Sequence, residues 1–207
     1  MHHFPHSEIL VSREDRRFAS GLRGRLRGYP NNRWPSWFDP TVVDLAAVAH
    51  GPFPRSAPLT QAGDVTIVAL HGHTPGHMGV IVDEGEHVVL LAGDSSYTED
   101  LMLRGVVDGP STDEAAARLT HERIRAFAAQ TPTVYLVAHD PDTPARLAER
   151  RVVEVVGSEA TTCSSSTPTS ASTGRSRRCS RMCRTSKPPG VELRRERRAQ
   201  GTCVRDR

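Results

Sequence analysis

The residues with the most evident chemistry lie in one stretch, Val65–Tyr97, which reads VTIVALHGHTPGHMGVIVDEGEHVVLLAGDSSY. It carries His71, His73 and His77 on a loop of Gly, Thr and Pro, and then Asp94 and Tyr97 just beyond Gly93. A second histidine, His139, is followed by Asp140 at the end of the apolar run Thr133–Ala138. Imidazole and carboxylate groups suit zinc or a similar divalent ion. Such an ion lowers the pKa of bound water from about 15.7 toward 7, so hydroxide exists at neutral pH. Each residue also has a plainer reading. His73 could be a loop histidine, Asp94 a turn cap and Tyr97 a packed aromatic, while His139 beside Asp140 is a weak signal by itself. His77 reads better as a brace for its loop than as a ligand, and His50, His71, His87 and His121 sit in no motif and read as surface or structural.

The elements that must position these groups follow from the apolar pattern. Val65–Leu70 is a β-rich run ending at the histidine loop. Val80–Val82 and His87–Leu91 are two more strands, joined by the polar turn Asp83-Glu84-Gly85-Glu86 as a hairpin with a longer loop. The second of them ends at Gly93-Asp94. Imidazoles and a carboxylate therefore emerge at the ends of adjacent strands, where a rigid sheet displays chemistry on its loops.

HGHTPGH, a hairpin, then GDSSY resembles the middle of a metallo-β-lactamase-fold hydrolase, closest to the acyl-homoserine-lactone lactonases. The family form of the loop is TPGHTPGH, and Leu70-His71-Gly72 departs from it at two of its first three positions. The resemblance covers about residues 2–156. It implies His73 and His139 as ligands of two zinc ions and Asp94 as the carboxylate between them. It also implies Tyr97 as the group that polarises a lactone or ester substrate, His77 and Asp140 as supports, and attack by a hydroxide shared by the metals. It implies half of a four-layer αββα sandwich. In this family a phrase like HFPHSEILVSRED follows a His-x-His-x-Asp-His loop that supplies most ligands, and the sequence begins just downstream of where that loop would lie. Three ligands over two ions, one shared, leave each ion two, where catalytic zinc takes about three. The resemblance then implies a truncated copy or misread frame that binds zinc weakly and hydrolyses little. The alternative is a non-catalytic relic or binding protein of the same fold.

Composition divides the chain of 207 residues in two. Residues 1–156 carry 15 Arg, no Lys and 20 acidic residues, a net charge of −5. Residues 157–207 carry 11 Arg, one Lys and 4 acidic residues, a net of +8. All the aromatics lie between Phe4 and Tyr135, and all 4 cysteines lie in the second part. The first part can build a core; the second, rich in Ser, Thr, Arg and Pro, reads as a disordered tail and as a wrong frame or unrelated extension. Its charge alone would permit nucleic-acid binding, but no aromatics are interleaved for base stacking. Cys163, Cys179, Cys183 and Cys203 form no Cys-x-x-Cys pair and argue against a zinc finger. No apolar run reaches the roughly 18 residues of a membrane span, and the first residues lack the features of a signal peptide. The default is a cytoplasmic protein with a small-molecule partner and no membrane, its oligomeric state open.

The remaining elements are read from spacing. Ile9–Val11 is a short strand, and His2, His3 and His6 before it read as a frayed terminus. Arg13–Arg27 is one surface helix with Phe18, Leu22 and Leu26 at helical spacing, its arginines a solvated face. Tyr29–Pro40 is an aromatic, proline-rich loop whose Trp34, Trp37 and Phe38 either line an apolar pocket or pin the loop. Thr41–Ala49 is mildly apolar, and Gly51–Pro58 is a turn region. Thr98–Gly109 is a loop or short helix. Ser111 and Glu114 form a capping box opening a helix to about Ala129, with Ala116, Leu119, Ile124 and Phe127 on its inner side. Thr133–Ala138 is a strand buried on both faces or packed under a helix. Asp142 caps a last helix with Pro144 in its first turn. Helices over a sheet make an α/β layer.

Overall fold

The computed structural model describes residues 7–28, 34–35, 37–107 and 109–155. The arginine-rich tail, with its four cysteines, and the histidines near the start lie outside the described residues. A central sheet has five strands: β3 (Ser56–Pro58), β4 (Val65–Ala69), β5 (Met78–Asp83), β6 (Val88–Gly93) and β7 (Thr133–Val137), side by side in that order. Neighbours from β3 to β6 run antiparallel, as hairpins must. β6 and β7 run parallel, and the chain between them crosses over through helices. Their register carries one irregularity: Leu91 faces Leu136 and Gly93 faces Val137, so Ala92 is an extra residue in β6, a bulge.

Alternation along the strands sorts side chains into two layers. Val68 and Leu70 join Phe53, Ile81, Leu90, Ile124, Phe127, Tyr135 and Val137 on one face. That face is covered by α3 (Glu99–Leu103) and by α4 (Glu114–Ala128). Ile67 and Ala69 point the other way, onto Val43, Leu45 and Ala57. There a second, parallel pair packs: β1 (Leu10–Ser12) beside β2 (Thr41–Val43). Every residue of β7 is buried, with Tyr135 and Val137 in the first cluster and Val134 and Leu136 in a third. A continuous apolar run with both faces covered is the reason. The result is an α/β assembly in which helix, sheet and second sheet form successive layers, part of an αββα sandwich.

Four expectations are corrected. The Arg13–Arg27 segment is two helices, α1 (Arg13–Ser20) and α2 (Leu22–Leu26), because Gly21 between them is extended. The turn region before Pro58 contains β3. The cap of α4 is Asp113, whose side chain accepts from the Ala116 amide, not Ser111. Leu119 is 43% exposed, and Ala117, Thr120, His121, Ile124 and Phe127 are the buried face of α4. The reason is a contact distant in sequence: the backbone NH and Oγ1 of Thr112 both donate to the Gly72 carbonyl, at 2.9 and 3.0 Å. Ser111 and Thr112 are thereby held against the histidine loop, and the helix starts later and turns a different side inward. The last helix, α5 (Thr143–Ala148), has Asp142 at its N-cap position and Pro144 in its first turn, but the Asp142 side chain makes no capping hydrogen bond. In the aromatic loop, Trp34 stacks on Phe38 with ring centroids 5.1 Å apart, and the Arg16 guanidinium lies over Trp34. Trp34 and Phe38 thus meet each other and α1, which is the pinning role.

Candidate metal centre

The parallel pairing of β6 and β7 brings the chain out at the same end of the sheet twice, at Asp94 and at His139. The antiparallel β4 to β5 turn delivers His73 to that end as well. The three side chains converge. His139 Nε2 stands 3.3 Å from Asp94 Oδ1, and His73 Nε2 stands 3.6 Å from Asp94 Oδ2. One carboxylate thus sits between two imidazoles, each facing a different oxygen. Asp94 Oδ1 is buried, and its nearest described polar neighbour is His139 Nε2.

His77 holds the two loops together. Its Nδ1 lies 3.0 Å from the Leu70 carbonyl, and its Nε2 accepts from the Asp94 amide at 3.3 Å. Both ring nitrogens are used, which leaves no lone pair for a metal and matches a bracing role. Burial drives the His77 pKa below its usual value, despite the Leu70 carbonyl pulling it up, and so keeps the ring neutral for both bonds. Gly93 makes this approach possible: it has φ +55°, and a Cβ there would lie 2.9 Å from His77 Nε2.

The serines of GDSSY anchor the aspartate loop. Ser95 and Ser96 hydroxyls bond the buried Tyr135 hydroxyl at 2.8 and 2.9 Å. His121, fully buried on α4, reaches the Ser95 carbonyl through Nε2 at 2.7 Å. On the residue just before it, Thr120 Oγ1 donates to the His71 carbonyl at 2.7 Å. One helix therefore grips both loops. Gly72, with φ +137°, lets it dock, since a Cβ there would meet Ala117 Cα at 2.5 Å.

Asp140 does not bond His139. Its Oδ2 accepts from the Glu99 amide and from Arg146 at 3.2 and 3.1 Å, and its Oδ1 from the Asp142 amide at 3.0 Å. Burial would raise the Asp140 pKa, but the Asp142 and Glu99 amides and Arg146 more than offset it and hold it low. Arg146 also pairs with Glu99 at 3.0 Å. Burial raises the Glu99 pKa against the pull of that arginine. The buried guanidinium thus ties the turn after His139 to the helix after Tyr97. Tyr97 lies edge-on to His139, ring centroids 5.0 Å apart, its hydroxyl end against Gly109.

The set fits divalent ions in kind and spacing. Two ligand atoms on one tetrahedral zinc, each about 2.0–2.2 Å from it, stand about 3.3–3.5 Å apart, close to the two distances here. It is not a closed cage: among the described residues no group of three or more His, Cys, Asp and Glu is arranged to hold an ion. Sequence reasoning missed Thr120, His121, Glu99 and Arg146. Only His121 left a signal, at helical spacing from Ala117 and Ile124.

Helices layered on this sheet, with histidine and aspartate loops meeting at one end, define a class of fold. Residues 2–169 match the metallo-beta-lactamase superfamily, and the chain belongs to it. It is 35% identical over 117 residues to a probable metallo-hydrolase of Mycobacterium tuberculosis and to one of Mycobacterium bovis. That alignment covers 51% of this chain and 34% of each relative, so the chain spans about a third of their length. Among solved structures it resembles an N-acyl homoserine lactone hydrolase with N-hexanoyl-L-homoserine bound at its catalytic metal center. The TM-score is 0.53 and the identity 18%, over 69% of this chain and 50% of that one. A probable metal-dependent hydrolase from Staphylococcus aureus gives a TM-score of 0.50 at 14% identity, over 63% and 44%. At such identities the likeness speaks for the fold. Among the described residues no helix is long and apolar enough to cross a membrane.

Proposed function

We propose that the chain carries one side of a two-ion hydrolase centre acting on the carbonyl of a lactone or other ester. The observation that supports it most is Asp94, with His73 facing one carboxylate oxygen and His139 the other. In this reading His73, His139 and Asp94 are the residues that would hold the divalent ions, zinc for preference. His77 keeps the Asp94 loop against the histidine loop. The Tyr97 hydroxyl donates a hydrogen bond to the substrate carbonyl oxygen as negative charge develops on it. A bound divalent ion supplies water of lowered pKa and a Lewis acid at that carbonyl. The preference for lactones rests on GDSSY and on the fold shared with a lactone hydrolase, and fold alone does not choose a substrate. Residues 1–156 form the working domain in this reading.

Two side chains per ion are one fewer than catalytic zinc ordinarily takes. The 207-residue chain is therefore expected to bind zinc no tighter than micromolar and to open lactones slowly. The same count favours, as a second reading, a protein of this fold that holds metal or ligand without turnover. Zinc titration against a chromophoric chelator, with an assay of N-hexanoyl homoserine lactone opening, separates the two. If zinc binding is the same in wild type and Asp94→Ala, the two-ion reading is wrong.

A further inference from the structure

We propose that Asp15, in the first turn of α1, is a positioning residue for His73, holding the histidine loop in the shape that presents Nε2 to Asp94. The inference rests on the two-ion reading for its purpose, but its geometry stands apart from the ligands. Asp15 Oδ2 accepts from Thr74 Oγ1 and Oδ1 accepts from the Gly76 amide, both at 2.8 Å. Thr74 directly follows His73, and the contact spans 59 residues of sequence. Asp15 is itself fixed: its amide donates to Ser12 Oγ, the cap of α1, at 3.1 Å. Ser12 and Thr74 are buried, at 3% and 7% exposure. A Cβ on Gly76 would overlap Ser12 Oγ, so the loop lies directly on the start of the helix.

The opposite side of the loop is held by neutral groups. The Thr112 amide reaches the Gly72 and His73 carbonyls, at 2.9 and 3.1 Å. Among the described residues, Asp15 is the carboxylate in this grip. A carboxylate suits the place because both donors need an acceptor, and hydrogen bonds to an ionised acceptor are the stronger kind. An asparagine has one acceptor oxygen and must turn an NH2 toward the other donor. The His73 ring, unlike that of His77, depends on its loop backbone for its position. Its ring has no hydrogen bond among those described, whereas His77 beside it is fixed at both nitrogens.

The test has a metal-free arm and a zinc arm. In zinc-free protein, Asp15→Asn should speed amide hydrogen exchange at Gly76 about tenfold and shift the His73 ring resonances, leaving those of His139 in place. Thr74→Ser, which keeps the hydroxyl, should behave as wild type, and Thr74→Val should reproduce part of the effect. Unchanged exchange at Gly76 and unchanged His73 resonances in Asp15→Asn overturn the inference, whatever zinc does. In the zinc arm, loss of an outer support to a metal ligand weakens affinity about 10–100-fold. Asp15→Asn should do so in a wild-type background and have no effect in a His73→Ala background. Equal weakening in both backgrounds overturns the inference, because Asp15 then acts on the fold at large. Absence of Asp94-dependent zinc binding in wild type refutes the two-ion reading instead, and the metal-free arm still decides the role of Asp15.

Discussion

Replacing Arg146 with Met tests how the turn after His139 is held. The Arg146 side chain is 5% exposed, and those of its partners Asp140 and Glu99 are 6% and 21% exposed. Methionine keeps most of the buried stem, so the cavity term is small and the lost charge dominates. Removing one partner from a buried ion pair costs about 3–5 kcal/mol, because the other charge is left uncompensated. Glu99 keeps some contact with water, which points to the low end, about 3 kcal/mol. A domain of this size loses about 2–4 °C per kcal/mol, so the melting temperature should fall by about 6–12 °C. The loss should also depend on pH. Asp140 is held below its ordinary value in the folded protein, so it stabilises at neutral pH, and that stability fades as pH falls through its folded value. Without Arg146, the Asp140 carboxyl should rise while the Asp142 and Glu99 amides still hold it, and Glu99, already raised by burial, should rise further. Carboxyls raised in the folded state favour folding on acidification. The deficit should therefore be largest near pH 7.5 and shrink toward pH 5. Thermal and urea unfolding with chelator present measure it. A loss below about 1 kcal/mol, or a deficit that grows on acidification, would show that solvent already screens this triad.

Three further outcomes are expected. Gly72→Ala places a methyl group 2.5 Å from Ala117 Cα at a φ of +137°, and urea unfolding should show a loss of about 2–4 kcal/mol; a change under 0.5 kcal/mol would mean that the loop undocks from α4 freely. Zinc at a hundred times its Kd should stabilise wild type by about 2.7 kcal/mol, and Asp94→Asn should abolish that shift in thermal melts while leaving the zinc-free melt within a few degrees. Tyr97→Phe should lower kcat for lactone opening about 100-fold at saturating metal without altering zinc affinity; equal kcat values would assign the ring to packing alone.

How much of this was readable beforehand depends on how local each cause is. β4, β5, β6 and β7 were visible because their apolar residues alternate or run continuously over five or six positions. The loops that carry His73, Asp94 and His139 were readable because strands ending at Gly or Pro mark where loops begin, whereas the choice of these residues as candidates came from the family resemblance. β2 and β3 are three residues each, and β3 ends in a proline, so neither has a period to detect. Arg13–Arg27 has helical spacing throughout, and only the extended Gly21 divides it. The inner face of α4 was misread because hydrogen bonds to distant carbonyls, not hydrophobicity, turn Thr120 and His121 inward. Asp15 and Arg146 carry no local sign of their partners, which lie far off along the chain.

The extra residue in β6 has a consequence for how such a centre can change over time. Side chains on a strand switch sides at every step, so the direction in which Asp94 leaves the sheet depends on whether the count before it is odd or even. Ala92 sets that parity. Its deletion would preserve charge and nearly all of the core, yet swing the Asp94 carboxylate to the far side of the layer. The loops at this end are pinned by Thr112, Thr120 and Arg146, and the strand beneath them tolerates edits only in pairs.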